Sequence, residues 1–255
     1  MISKQNIELI RSLAHKKNRD EAGLFVAEGQ KIVFDLLKTD LTLFHLYFTA
    51  DCSEFLSELP AIQSSSQISA KEMERISAFK TPSSMLAVFK IPPYQEIATP
   101  SFDGLNIVLD GLQDPGNLGT IIRLADWFGI RNIYCSENCV DRFNPKCVQS
   151  TMGAIARVSV HYLDLSWLLK EAEVQNVPIY GTYMDGDNLY HSELAGKALI
   201  VMGSEGKGIS PELGPFITRK VSIPTFPEGN KIPESLNVAI STSIICAEIR
   251  RRSGI

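Results

Sequence analysis

The 255-residue sequence has no apolar run of about 18 residues, so no stretch of it reads as a membrane span. Its opening, MISKQNIELIRSLAHKKNRD, lacks the apolar core of a secretory signal; it reads as a polar helix and places the chain in the cytoplasm. A basic excess is also missing. The 25 Lys and Arg are outnumbered by 29 Asp and Glu, and the net charge of −4 excludes nucleic-acid binding through an overall basic coat. The five cysteines (Cys52, Cys135, Cys139, Cys147, Cys246) are odd in number, none stands in a C-x2-C pair, and no His lies near Cys135, Cys139 and Cys147. They read as buried free thiols, and no metal is expected. No G-x-G-x-x-G follows an early strand and no G-x4-G-K-[ST] occurs, which excludes the common dinucleotide and phosphate-loop sites.

What remains is an ordinary globular composition, 44% hydrophobic and 21% charged, long enough for one large or two small domains. Helices are predicted over residues 3–18, 29–38, 54–59 and from 70, with strands at 23–28, 43–49, 68 and 85–90, a small α/β unit of residues 1–92. Residues 93–102 follow Ile91-Pro-Pro and contain Pro100; without periodicity, they read as a linker. Beyond it, over 103–255, short apolar strands (106–109, 132–135, 157–162, 178–184, 198–202, 220–223) alternate with helices (117–128, 145–152, 165–175 and from 237). That alternation predicts a mostly parallel sheet covered on both faces.

Open α/β sheets bind ligands beyond the carboxyl ends of their strands, and three loops fall there. The first is Asp110-Gly-Leu-Gln-Asp-Pro-Gly-Asn117, leading into a helix whose Arg123 points away from the apolar arc. The second is Gly203-Ser-Glu-Gly-Lys-Gly208; Glu205 in its middle would repel a phosphate. The third runs from Ile223 through three prolines to Ser235-Leu-Asn237 and into VAISTSIICAEIRRR. Ser235 and Asn237 are both good N-capping types. The last helix is apolar on several sides, which predicts burial and an apolar remainder for a partner. Two basic clusters, Arg11, Lys16, Lys17 and Arg19 near the start and Arg250, Arg251 and Arg252 near the end, are solvated faces or phosphate contacts.

Together the three loops resemble the SpoU (TrmH-type) RNA ribose methyltransferases of the SPOUT superfamily. The resemblance rests on Asn117-Leu-Gly-Thr-Ile-Ile-Arg123, on Ile200-Val-Met-Gly-Ser-Glu-Gly-Lys-Gly208, and on Ile223-Pro followed by Ser235-Leu-Asn-Val-Ala239. Asn144-Pro-Lys and Ser150-Thr-Met-Gly153 look like the family's intermediate segment. Residues 1–92 look like its small substrate-binding domain, similar to ribosomal protein L30e, on Gly23-Leu-Phe-Val-Ala-Glu-Gly29. Ala239 departs from the family, where many members have Ser.

The resemblance implies a trefoil-knotted C-terminal domain, S-adenosylmethionine as methyl donor, a homodimer formed through that domain, and RNA as substrate. The architecture favours 23S ribosomal RNA, with transfer RNA second. By analogy the cofactor lies against Thr182, Gly203, Ile223 and Leu236, with Met202 and Ile232 on the adenine. Arg123, Asn117, Glu205, Ser235 and Asn237 make up the catalytic set. Arg123 stays charged, so it acts electrostatically, oriented by Glu205 through a bidentate pair. Asn117 and Ser235 position the ribose or phosphate, or cap helices, or both. Two other classes stay open: a non-catalytic RNA-binding protein of the same fold, and a metabolic enzyme holding a nucleotide at Gly203–Gly208.

Overall fold

The computed structural model describes residues 1–52, 62, 64–93, 97–227 and 235–253. The helices are α1 (Lys4–Ser12), α2 (Lys16–Ala22), α3 (Gln30–Leu37), α4 (Ala70–Ile76), α5 (Pro115–Trp127), α6 (Pro145–Thr151), α7 (Leu165–Val174) and α8 (Val238–Arg252). The strands are β1 (Leu24–Glu28), β2 (Leu43–Phe48), β3 (Ser65–Gln67), β4 (Met85–Lys90), β5 (Leu105–Leu109), β6 (Asn132–Cys135), β7 (Ser159–Tyr162), β8 (Ile179–Asn188), β9 (Ala198–Met202) and β10 (Arg219–Ser222). They form two compact units, residues 1–95 with 141–156 and residues 96–140 with 157–255. The helix expected over 54–59 lies outside the described residues.

The first unit is a four-stranded sheet in the order β1-β4-β2-β3, with β4 antiparallel to both neighbours and β3 parallel to β2. All of β1 is buried, because both faces of the sheet are covered. On one face Ile7, Ile10 and Leu13 pack with Met73 and Ile76 of α4 against Val26, Leu86 and Val88. On the other, Ile32, Val33 and Leu36 of α3 pack with Phe25 and Phe89. That second core is completed by Phe143, Val148 and Ile155, which lie within 103–255 in the linear sequence.

One helix was expected over 3–18, but the chain breaks into α1 and α2. The reason is Arg19, 1% exposed, whose Nη1 donates to the carbonyls of Leu13 (2.8 Å) and Ala14 (3.0 Å). Those carbonyls are thereby satisfied outside a continuous helix. The same guanidinium pairs with Asp141 through Nε (3.0 Å) and Nη2. Arg19 is therefore no phosphate contact, which corrects one member of the N-terminal basic cluster.

The second unit is a six-stranded sheet in the order β10-β8-β9-β5-β6-β7, with every neighbouring pair parallel. β5 and β9 lie at its centre and are buried at every position. From β5 the chain builds outward through β6 and β7, then returns to the far side of β9 for β8. Since all strands run one way, the loops after β5, β8, β9 and β10 share one edge, at the point where the strand order reverses. Along β8 the register jumps: Lys220 faces Gly181, but Val221 faces Asp187, so residues 182–186 bulge out at that edge. Gly186 lets the chain return, since a Cβ there would sit 2.6 Å from the Val221 carbonyl carbon.

α8 packs on α5 and buries Val238, Thr242, Ile245, Cys246 and Ile249. Its terminal arginines are engaged internally. Arg250 Nε donates to Phe128 O (2.9 Å), Arg251 and Arg252 both pair with Glu248, and Arg252 also reaches the carbonyls of Leu189 and Tyr190. Arg250 and Arg252 thereby close the C-terminal turn of α8, while Arg251, paired with Glu248, keeps a side chain 69% exposed.

Breaking a buried ion pair from one side leaves a charge uncompensated. Arg19→Ala is expected to lower the unfolding free energy by about 3–5 kcal/mol in urea titrations. The Arg19→Ala/Asp141→Ala double variant should recover part of that loss, because it removes the orphaned carboxylate.

Candidate active site

The first loop is anchored at both ends. Asp110 N donates to Met202 O (2.9 Å), Gly111 N to Ser136 Oγ (2.8 Å) and Leu112 N to Cys139 Sγ (3.2 Å). Asp114 then caps α5: its Oδ1 accepts from Asn117 N (2.8 Å), and Pro115 follows at the first helical position. The helix thus starts at Pro115 and not at Asn117. Asn117 is not its cap, so its side chain is available for other contacts.

The second loop closes on itself through reciprocal Ser204 N→Gly208 O (3.1 Å) and Gly208 N→Ser204 O (2.9 Å) bonds. A Cβ on Gly203 would lie 2.1 Å from the Gly208 carbonyl carbon, so only glycine allows this closure. The third loop ends at Asn237, whose Oδ1 accepts from Ala239 N (2.9 Å) and Ile240 N (3.3 Å). Of the two expected caps at this helix, Asn237 serves and Ser235 does not; Ser235 stays exposed.

One side chain joins the three loops. Asn117 Nδ2 donates to Glu205 Oε1 (2.6 Å), and Asn117 Oδ1 accepts from Asn237 Nδ2 (3.0 Å). An ionised carboxylate only accepts, so the Asn117 nitrogen must face Glu205 and its oxygen must face Asn237. Both amide orientations follow from the bonding. Among the described residues, the second N–H of Asn117 Nδ2 and the exposed hydroxyl of Ser235 have no hydrogen-bond partner.

Arg123 is on the exposed side of α5 as expected, but its predicted pair with Glu205 is not formed. Glu205 bonds Asn117, and no ion pair involves Arg123 among the described residues. Geometry gives the reason: Arg123 stands six residues further along the helix, about 9 Å of axial rise. Four of the five expected catalytic residues are thus on adjoining loops, three of them bonded together, while Arg123 stands apart.

Among the expected cofactor residues, Thr182 opens the β8 bulge and its hydroxyl donates to Val201 O (3.1 Å). Gly203 forms the tight turn, Ile223 is half-buried after β10, and Leu236 is 51% exposed beside the cap. Ile232 lies outside the described residues. Met202, expected on the adenine, is in the core at 3% exposure, so it does not present a face there. The glycine turn closed by backbone bonds, with exposed Leu236 beside the cap Asn237, has groups a nucleoside takes: peptide groups for its polar edge and apolar surface for its base.

Four further groups stand near this edge. Asp110, 6% exposed, accepts from Ser210 N at its Oδ2 (2.6 Å), tying the end of β5 to the exit of the second loop. Asp114 was legible in hindsight, since Asp-Pro is a cap followed by a first-turn proline. Cys139 was not. Hydrogen bonds from Cys135, Ser136 and the Leu112 and Gly111 amides outweigh its burial and pull its thiol down to about 7. Tyr183, in the bulge, is raised above its ordinary value by burial and by the carboxylates of Asp185 and Asp110, and Lys220 Nζ sits 4.6 Å over its ring.

Known proteins match this geometry. The model of the SpoU rRNA Methylase family matches residues 104–247, and that of the MRM3-like substrate binding domain matches residues 4–87. The chain belongs to the SpoU rRNA Methylase family. It is 26% identical to the 23S rRNA (guanosine(2553)-2′-O)-methyltransferase RlmP of Bacillus subtilis (strain 168), over 96% of each chain. A solved structure described as an RNA methyltransferase of the TrmH family, from Porphyromonas gingivalis, superposes with a TM-score of 0.85 at 39% identity over 99% of both chains. An AdoMet-bound rRNA methyltransferase from Sinorhizobium meliloti gives 0.83 at 26% identity, over 99% of this chain and 97% of that one.

The Cys139 thiol gives a pH test. Its folded value of about 7 lies below the ordinary 9, so between these limits the unfolded chain holds more protons and stability rises with pH. The gain is complete above 9 and is lost as pH falls through 7. Cys246, pushed up to about 12 by burial, acts with the opposite sign above pH 9. Urea midpoints should therefore climb from pH 7 to 9, and Cys139→Ser should flatten that climb.

Proposed function

We propose that this protein transfers a methyl group from S-adenosylmethionine to a ribose 2′-hydroxyl of RNA, with 23S ribosomal RNA as the foremost substrate. The observation that carries this reading is Asn117, whose amide joins the carboxylate of Glu205 to the helix cap Asn237 across three loops at one sheet edge. The names of the relatives, a 23S rRNA 2′-O-methyltransferase and an AdoMet-bound rRNA methyltransferase, support it.

S-adenosylmethionine, when bound, supplies a methyl group on a sulfonium, whose leaving group is a neutral thioether. Thr182, Gly203, Ile223 and Leu236 would hold it, by backbone groups at the turn and apolar contact beside it. The chain's own task is to orient a hydroxyl and ease the loss of its proton. Arg123, exposed and without an ion-pair partner among the described residues, binds the phosphate beside the target ribose. It stabilises negative charge developing on O2′; a guanidinium remains protonated and does not take the proton. The spare N–H of Asn117 and the Ser235 hydroxyl position the ribose. Glu205 acts through Asn117, fixing which way that amide points.

The same proposal includes a homodimer through the second unit. Ile240 is 53% exposed, Ile244 half-buried and Trp127 85% exposed on α8 and α5, an apolar remainder that a second copy would cover. A knotted path is part of it too. Arg252, near the end of α8, donates to the carbonyls of Leu189, Tyr190 and Ser192 in the segment between β8 and β9, which supports a chain end drawn behind that loop. Residues 1–92 would serve as the RNA-binding domain, with Arg11, Lys16 and Lys17 as cations, and the protein would act in the cytoplasm.

Mapping 2′-O-methyl sites in total RNA with and without the gene tests the activity; no lost site in any RNA overturns it. Arg123→Ala should abolish transfer while leaving S-adenosylmethionine affinity within about twofold, and Arg123→Lys should also be poor, because an ammonium lacks the planar fork. Light scattering at micromolar concentration should give the mass of a dimer, and Ile240→Asp should shift it toward the monomer.

A further inference from the structure

Asp110 ends β5 in the middle of the sheet edge and is 6% exposed. Two neutral peptide groups hold it: its N–H donates to Met202 O (2.9 Å) and its Oδ2 accepts from Ser210 N (2.6 Å). Among the described residues it forms no ion pair. Lys220 sits over the Tyr183 ring at 4.6 Å. A buried carboxylate without a cation is unfavourable, because the Ser210 N–H replaces its hydration only in part. Holding Ser210 does not require the charge, since an asparagine oxygen accepts the same bond.

The carboxylate lies where the first loop meets the exit of the second. Its negative charge helps hold the phenol of Tyr183, the neighbour of Thr182, above its ordinary value. Its successor Gly111, at φ +70°, brings the first loop close to the second: a Cβ there would lie 3.7 Å from Ser204 Cβ. A negative charge in a low-dielectric edge that binds a nucleoside favours a cationic ligand over a neutral one of the same shape.

We propose that Asp110 determines specificity for the methyl donor, its buried carboxylate favouring the sulfonium cation over the neutral thioether product. This rests on the reading of the edge as an S-adenosylmethionine site. Transfer would form the bond from the methyl carbon to O2′ as the carbon–sulfur bond breaks, with the hydroxyl proton released to solvent; the electron pair would stay on sulfur, its positive charge would disappear, and the attraction to Asp110 would go with it. The residue therefore favours substrate entry and product release together.

Calorimetry on the full chain tests this with S-adenosylmethionine, with S-adenosylhomocysteine, and with sinefungin, whose amine carries a cation near the same place. Asp110→Asn keeps the acceptor for Ser210 and removes the charge. It should weaken binding of the two cations roughly tenfold and leave the thioether within about twofold. Asp110→Glu keeps a carboxylate at this position and should retain more of the preference for the two cations than Asp110→Asn does. Equal weakening of all three ligands in Asp110→Asn, or none, would overturn the role of the charge, as would a preference no greater in Asp110→Glu than in Asp110→Asn. A wild-type chain that binds none of the three would instead overturn the cofactor reading itself.

Discussion

The arrangement at the sheet edge depends on a single side-chain amide. Asn117 donates to an acceptor that cannot donate and accepts from a donor that already caps a helix, so neither of its bonds can be reversed. Three loops distant in sequence are thereby tied at one point. The condition for it is set three residues earlier, where Asp114 takes over the capping of α5 and releases Asn117. Asp110 binds the first loop to the exit of the second through Ser210 N. The parallel sheet makes the meeting possible, because it delivers every strand's carboxyl end to the same side.

The arginines show how little a charge pattern says by itself. Arg19, Arg250 and Arg252 all serve backbone carbonyls, and Arg19 and Arg252 also pair with carboxylates. Each replaces a missing helical or turn hydrogen bond with a charge-assisted one. Arg123 sits on a regular helix whose carbonyls are already satisfied, on the face turned away from the core. Two of its neighbours on that exposed side, Thr120 and Trp127, are likewise uncovered. Among the described residues no ion pair takes up its guanidinium.

The first unit shows a similar dependence on distant sequence. Its second core needs Phe143, Val148 and Ile155, and its break between α1 and α2 is stabilised by Asp141 through Arg19. Helix α6 is short and carries Asn144 as cap with Pro145 behind it, so its start is written locally. Its place against β1 is not: it follows from an apolar face that matches the ring of Phe25, 4.7 Å from that of Phe143.

By itself the sequence determined the alternation of apolar strands and helices, and hence the parallel sheet. It also determined the order of the three loops with Asn117, Glu205 and Asn237 in them, and the outward face of Arg123. These are properties of periodicity and of residue type, which act over a few residues. Only the tertiary structure decided that Glu205 bonds Asn117 and not Arg123, that Met202 turns into the core, that residues 141–156 complete the first unit, and that Arg19 and the terminal arginines are spent internally. Those outcomes turn on which of several suitable partners lies within about 3 Å of a donor, and hydrogen bonds of that length are set by packing between segments far apart in the chain.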